Sequence, residues 1–338
     1  MDGITHTLFG LALAELGFLR RLGAGRARAL SVVAANVPDV DVMLLLASRE
    51  RYVLDHDGAT HGLVSLALLP PLMGRLALLG TPRSPAAVRA ATALAALALA
   101  GHLLLDLLTS RGAMVLWPLA QERVALDWLH DPDPVVAVLL LLTWALRVGP
   151  LPGPRAAAGS ILVVGLYVGL QGAAHGVVLK RASAWARLEG LEVEAAFAFP
   201  ERPGGLWWST VAVNDEEALH RYVDLLGPAR LGLRLPRGLE EPLVEEFLAT
   251  SLGARWLEWS RVPMAASVEL PDGRYEVWVR DLRFNDRFHG AERGARMDLR
   301  ARFDPAGQMR EHTWFLDEPP WEATPLPAIP PLTPGRAP

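Results

Sequence analysis

Residues 156–179 (AAAGSILVVGLYVGLQGAAHGVVL) run for twenty-four positions without a charge. A stretch of that length and character is long enough to cross a bilayer, where about 20 apolar residues suffice. Further apolar runs precede it. Residues 90–105 are uncharged between Arg89 and Asp106, and 134–146 (PVVAVLLLLTWAL) are apolar but short. Residues 61–80 are broken only by His61 and Arg75, with Pro70-Pro71 as an expected kink. Residues 29–47 contain Asn36, Asp39 and Asp41, and residues 4–19 contain His6 and Glu15. Four of these runs read as spans. The two polar-interrupted runs read as re-entrant or bundle-interior segments, because a carboxylate facing lipid is costly.

The chain changes character near residue 180. Residues 1–180 hold 12 acids and 14 bases, whereas 181–338 hold 25 acids, 19 bases and 8 of the 11 Trp. The expected fold class is therefore an α-helical multi-pass membrane domain of about four to six helices over 1–180, followed by a soluble mixed, mainly β domain over 181–318. Residues 319–338 are Pro-rich and expected to be irregular. In the second part, 191–199, 207–213, 274–284, 297–303 and 308–316 have strand character, and 238–252 has helical spacing. Trp185, Trp207 and Trp208 belong either to the core or to a membrane interface. Asp281, Arg283, Asp286 and His289 form a polar group without catalytic spacing. This part reads as an accessory, substrate-selecting domain.

Loop charge sets an orientation. The connections at 20–28, 75–89 and 147–155 carry Arg and no acid, while 48–60 and 111–133 are mixed or acidic. With six spans the basic loops fall on one side, expected to be cytoplasmic. The metal-site end and residues 181–338 are then expected on the outer, periplasmic face of the inner membrane. The net charge of -4 gives no sign of nucleic-acid binding. The absence of Cys excludes disulfides and thiolate-ligated metals.

His and Asp from four separate apolar segments fall toward one membrane surface. His6 opens the first segment, and Asp39 and Asp41 (NVPDVD) lie late in the second. His56 and His61 (HDGATH) open the third, and His102 and Asp106 (GHLLLD) close the fourth. The i, i+4 spacing of His102 and Asp106 puts both on one helical face, as in helical zinc sites. Gly58 allows a turn between His56 and His61. Pro38 disfavours helix at Val37, so Asp39 and Asp41 can point into one site. Other readings stand beside this one: an interfacial His6, Asp39 as a helix N-cap, and His102–Asp106 as a hydrogen-bonded pair. Asp55 and Asp57 read as solvated loop charges, and His175 as a packing residue.

Taken in order, MDGITHTLFG, ANVPDVD, HDGATHGL, GHLLLDLLTSRG and DWLHDPDP resemble the YdjM-like membrane-bound, metal-dependent hydrolases, described in some members as LexA-regulated. The resemblance covers roughly the first 180 residues. It implies a metal site at His6, Asp39, Asp41, His56, His61, His102 and Asp106. Asp127, Trp128, Asp133 and Pro134 match the last motif, whereas His130 and Asp131 depart from it. His and carboxylate without thiolate suit zinc, manganese or iron. Seven candidates exceed one tetrahedral zinc, so either two ions bind or some residues support the ligands. An ion there would acidify water for hydrolysis of an ester or phosphoester, with Asp39 or Asp41 as general base. The location favours an amphipathic, lipid-like substrate. The alternative class is a non-enzymatic membrane protein with a structural metal or a His/Asp transport relay. Against transport, the sequence shows no repeat-related pair of broken helices.

Overall fold

The computed structural model describes residues 1–81, 84–148, 153–201, 204–226, 229–284, 298–315 and 324–326. Asp286, His289 and most of the Pro-rich tail lie outside these residues. The chain divides into two compact units. One comprises 1–48, 55–175 and 200–205; the other comprises 49–54, 176–199 and 206–338.

The first unit is helical: α1 (Gly3–Glu15), α2 (Phe18–Leu22), α3 (Ala24–Asn36), a 3-10 segment (Pro38–Leu46), α5 (Leu63–Leu76), α6 (Pro85–Leu107), α7 (Pro134–Val148) and the first part of α8 (Gly153–Leu188). Between the 3-10 segment and α5 the chain forms α4 (Arg49–Asp55) and a short 3-10 turn, Ala59–His61. Asp2 caps α1 by accepting from the amides of Ile4 and Thr5, each at 3.0 Å. Among the described residues two helices, α6 and α8, are long and apolar enough to cross a membrane. The bent pair of α3 with the 3-10 segment, at 53°, makes a third if it is one span. Leu63–Leu76 and Pro134–Thr143 are shorter apolar helices. The run at 4–19 ends at Gly17, which has φ 110.

Small residues let the helices approach closely. Ala14, Ala27, Ala34, Ala35, Ala91, Ala95 and Ala98 form much of a core shared by α1, α3 and α6. A Cβ on Gly10 would stand 2.8 Å from the Ser31 carbonyl oxygen. The Ser31 hydroxyl donates to the Gly10 carbonyl across that contact at 2.6 Å. Glu15, nearly fully buried, is matched by Arg28 through two bonds of 2.7 and 3.1 Å.

The second unit holds two antiparallel sheets. One has β1 (Ala195–Pro200), β2 (Trp207–Val213), β3 (Glu217–Asp224), β4 (Ala229–Pro236) and β9 (Thr324–Leu326) in the order β1-β2-β3-β4-β9. The other has β5 (Pro263–Glu269), β6 (Tyr275–Asp281), β7 (Asp298–Phe303) and β8 (Met309–Phe315) in sequence order. Thr324–Leu326 lies inside the stretch expected to be irregular, yet it pairs with β4. The helical pattern at 238–252 resolves into α9 (Pro242–Leu248) and α10 (Ser251–Trp259). The break falls at Thr250, whose hydroxyl caps α10 by accepting from the Gly253 amide at 3.1 Å. Phe247, Trp256 and Trp259 pack on Val277, Val279, Leu299 and Phe303. Trp185 and Trp208 are likewise buried, so they serve packing.

His220 lies wholly buried on β3, 2.6 Å from Ser209 Oγ. Burial pushes its imidazole down to about 4. An unfolded chain takes up this proton near pH 6.5. The stabilising contribution is therefore full above pH 6.5 and is lost as pH falls toward 4, by about 3 kcal/mol. Tryptophan fluorescence during urea unfolding at pH 7 and pH 4.5 should show that loss, and His220→Gln should flatten it.

Candidate metal centre

Three helical segments and one loop bring the expected residues together, each for a local reason. Pro38 ends α3 and starts the 3-10 turn that carries Asp39 and Asp41. That segment has no side-chain cap bond, so Asp39 does not act as its N-cap. One turn of α6 separates His102 from Asp106. The HDGATH loop is held by backbone: His61 N donates to Gly58 O at 2.9 Å, Met114 N to Asp57 O at 2.9 Å, and Leu63 N to Trp117 O at 3.0 Å. A Cβ on Gly58 would meet the Asp55 carbonyl oxygen at 2.6 Å. Arg123 Nη2 donates to the His56 carbonyl at 2.5 Å.

Hydrogen bonding decides which ring atoms remain for a ligand. His102 Nδ1 lies 2.7 Å from the Ala35 carbonyl oxygen. A carbonyl only accepts, so Nδ1 carries a hydrogen, and in the neutral ring Nε2 keeps its lone pair. The Thr60 hydroxyl donates to Asp41 Oδ2 at 2.8 Å. Its oxygen therefore accepts from His61 Nδ1 at 2.9 Å, and in the neutral ring His61 Nε2 is also a lone pair. Asp106 Oδ1 receives the Met1 amino group at 2.6 Å and His6 Nε2 at 3.2 Å. Asp106 Oδ2 is buried and has no hydrogen-bond partner among the described residues.

These remaining atoms converge. His61 Nε2 and His102 Nε2 are 3.0 Å apart. Asp106 Oδ2 lies 3.5 Å from the first and 3.0 Å from the second. Asp39 Oδ1 lies 3.6 Å from His61 Nε2 and 3.5 Å from His102 Nε2. Tetrahedral zinc with bonds near 2.0–2.1 Å has ligand-to-ligand edges of about 3.3 Å. Five edges of this four-atom figure cluster around that value. Lone pairs and carboxylate oxygens repel unless a cation stands among them, so the donors fit a divalent metal ion.

The other candidates surround this figure. His6 stacks on His102 with ring centroids 3.8 Å apart. Its Nε2 faces only acceptors, Asp106 Oδ1 and the Met1 carbonyl at 3.1 Å, and its Nδ1 is buried and unpaired among the described residues. Asp41 accepts from His56 Nδ1 at 2.7 Å, from the Asp57 amide at 3.1 Å and from Thr60. Among the described residues, sets of three donors within 4.8 Å include four: His6-Asp39-His102, His61-His102-Asp106, Asp39-Asp41-His56 and Asp39-Asp57-His61. Asp39 belongs to three of the four.

Asp57 corrects the sequence reading. Expected to be a solvated loop charge, it is buried, because the 108–124 loop covers HDGATH. The signal for it was its place between two His in a Gly-containing turn. In DWLHDPDP, Asp133 caps α7 by accepting from the Val135 amide at 3.0 Å, and Tyr167 donates to it at 2.8 Å. His130 Nδ1 bonds to Pro132 O at 2.8 Å. Asp131 Oδ1 lies 3.6 Å from the Met1 amino group.

The Thr60 hydroxyl links Asp41 to His61 and fixes the ring's tautomer. Outer partners of this kind are worth about 10–100-fold in metal affinity. Thr60→Val should weaken metal binding by that factor in a competition titration against a fluorescent chelator, with the fold unchanged by circular dichroism.

The profile of the YdjM inner membrane protein family matches residues 1–178. A Bacillus subtilis (strain 168) protein described as uncharacterized protein YfhP is 26% identical over 175 residues, covering 50% of this chain and 53% of that protein. The chain thus spans about half the length of that relative. No solved structure matches. The matched part is more than half of the chain and contains all seven expected site residues, and the chain belongs to the YdjM inner membrane protein family.

Proposed function

We propose that the protein is a membrane-bound, metal-dependent hydrolase acting on an ester or phosphoester of an amphipathic, lipid-like substrate. The observation that carries this reading is the convergence of Asp39, His61, His102 and Asp106, with the two ring nitrogens 3.0 Å apart. His61, His102 and Asp106 would hold the ion, with the exposed Asp39 beside the position left for water. Zinc suits the tetrahedral figure, and manganese or iron suits the same mixed nitrogen and oxygen donors. When bound, a divalent ion supplies Lewis acidity, which acidifies water and polarises an acyl or phosphoryl oxygen.

The chain's own groups supply the rest. Asp41 has both oxygens taken by donors, so its part is to position His56 and, through Thr60, His61. Asp39, with its side chain 30% exposed, is the open carboxylate of the group. In this reading it takes up the proton that water loses on attacking the ester. The lipid-like substrate class is supported by the 3-10 segment, which bears Asp39 and Asp41 beside exposed Val40, Val42, Met43, Leu45 and Leu46. Loop charge favours a site on the outer face of the inner membrane.

A second reading, a structural ion, is favoured by the same figure, because four protein donors close a tetrahedral site. Turnover separates the two. Detergent-purified protein should hydrolyse a phospholipid or polyprenyl phosphate, lose that activity on chelation and regain it with metal. Metal-loaded protein inert toward both phosphoesters and carboxyl esters, yet destabilised by chelation, supports the structural ion instead.

A further inference from the structure

The metal centre uses one end of α6, and the other end of that helix borders a cavity of about 520 Å³. Phe18 and Arg21 line it from α2, and Ala86, Ala87, Arg89 and Ala93 line it from the first turns of α6. Local sequence explains its shape. Gly17, at φ 110, and Gly23, at φ 81, bracket α2 in the left-handed region, which turns this short helix onto the start of α6. Leu22 is buried in the core with Ala90 and Ala91. Phe18 and Arg21, three positions apart, share the face of α2 that borders the cavity. The alanines opposite are too small to fill the gap.

Two guanidinium groups meet at this cavity without a counter-charge. Neither 16–28 nor 75–93 contains an acid. Glu15, just before α2, is held by Arg28. No ion pair with Arg21 or Arg89 occurs among the described residues. The Ser84 hydroxyl already caps α6 by accepting from the Ala87 amide at 3.1 Å, so attraction for an anion rests on the two arginines. Arg89 precedes His102 by about 20 Å along α6, at 1.5 Å per residue. Since α6 is long and apolar enough to cross a bilayer, the cavity falls near the headgroups of the leaflet opposite the metal centre.

Guanidinium forks match phosphate oxygens, and basic pockets between membrane helices suit anionic lipid headgroups. A free phosphate ion would leave most of the cavity empty. Phe18 and the alanine face of α6 suit a glycerol backbone and the first methylenes of acyl chains. We propose that this cavity binds one anionic phospholipid, with Arg21 and Arg89 on its phosphate and Phe18 and the alanines against its glycerol and upper acyl chains. The site is separate from the metal centre and does not depend on the hydrolase reading. Lipid bound here bridges α2 and α6 as a resident ligand.

The test uses the full chain in detergent and native mass spectrometry, with dioleoyl phosphatidylglycerol and dioleoyl phosphatidylcholine as probes. The wild type should retain one phosphatidylglycerol per chain at concentrations where it retains no phosphatidylcholine. The paired Arg21→Gln, Arg89→Gln variant should bind phosphatidylglycerol about thirtyfold more weakly, at about fivefold per guanidinium. Both arginines are exposed, so the fold should be unchanged by circular dichroism. Ala86→Phe, at another exposed position, keeps both charges but fills the cavity, and should lose the lipid as well. Equal retention of the two lipids overturns the proposal and leaves apolar contact alone. Unchanged phosphatidylglycerol binding in either variant also overturns it, because the lipid then sits elsewhere. Displacement of the lipid by inorganic phosphate at equal concentration overturns it in favour of a simple anion site.

Discussion

His102→Ala should abolish tight metal binding, as should the His61→Ala, His102→Ala pair. Each of these imidazoles gives a lone pair to the four-atom figure, and their nitrogens are 3.0 Å apart. Losing a direct donor should cost more than the 10–100-fold that outer partners contribute. Dialysed variants should carry less than a tenth of the wild-type metal by elemental analysis. Membrane insertion should survive, since α6 keeps its apolar length and His102 faces the protein interior. The fold should be only mildly weakened, because the Ala35 carbonyl loses its partner, at about 1–3 kcal/mol. Unchanged metal content in the double variant, with normal elution from a sizing column, would falsify the ligand assignment.

The second large effect belongs to the other unit. Asp281 is fully buried and accepts from Ser260 Oγ at 2.9 Å, Arg261 N at 2.7 Å, and Arg283 N and Nε at 2.9 and 2.8 Å. The Arg283 guanidinium and these donors hold its carboxyl below the ordinary carboxylate range, against the opposing effect of burial. Asp281→Ala removes the carboxylate with which the buried Arg283 guanidinium pairs, which costs about 3–5 kcal/mol. The second unit should then melt about 10 °C lower, at about 2–4 °C per kcal/mol for a domain of this size. Metal content should not change, because Asp281 contributes no donor to the centre. A drop of less than 2 °C by tryptophan fluorescence would show that the Asp281–Arg283 pair carries little of the stability.

The membrane part was legible because its signals are coarse. An uncharged run of 24 residues leaves few alternatives, and α8 contains it entire. The convergence of His6, Asp39, His61, His102 and Asp106 was legible because each lies near the same end of its apolar segment. Their division of labour was not. Which nitrogen of His61 stays bare depends on Thr60, a residue without metal-site character in sequence. Asp57 was misread because its burial depends on a loop some fifty residues further on, and local composition carries no trace of that cover. In the second unit, clean alternation at 274–284 found β6. Strands β3, β4 and β5 were missed; β3 is buried along six consecutive residues, and strands buried on both faces lose their alternation. The break between α9 and α10 turns on a single hydroxyl cap.

The 3-10 segment 38–46 has a kinetic consequence. Its acidic side chains and its greasy ones share nine residues, so in the proposed reading the bilayer lies next to the chemistry. For a lipid-borne substrate, arrival is then a two-dimensional problem. The quantity that sets the rate is the mole fraction of substrate among surrounding lipids, and diluting the whole suspension with buffer leaves it unchanged. Replacing Leu46, 79% exposed, with Glu should alter access for such a substrate while a small water-soluble ester keeps its rate.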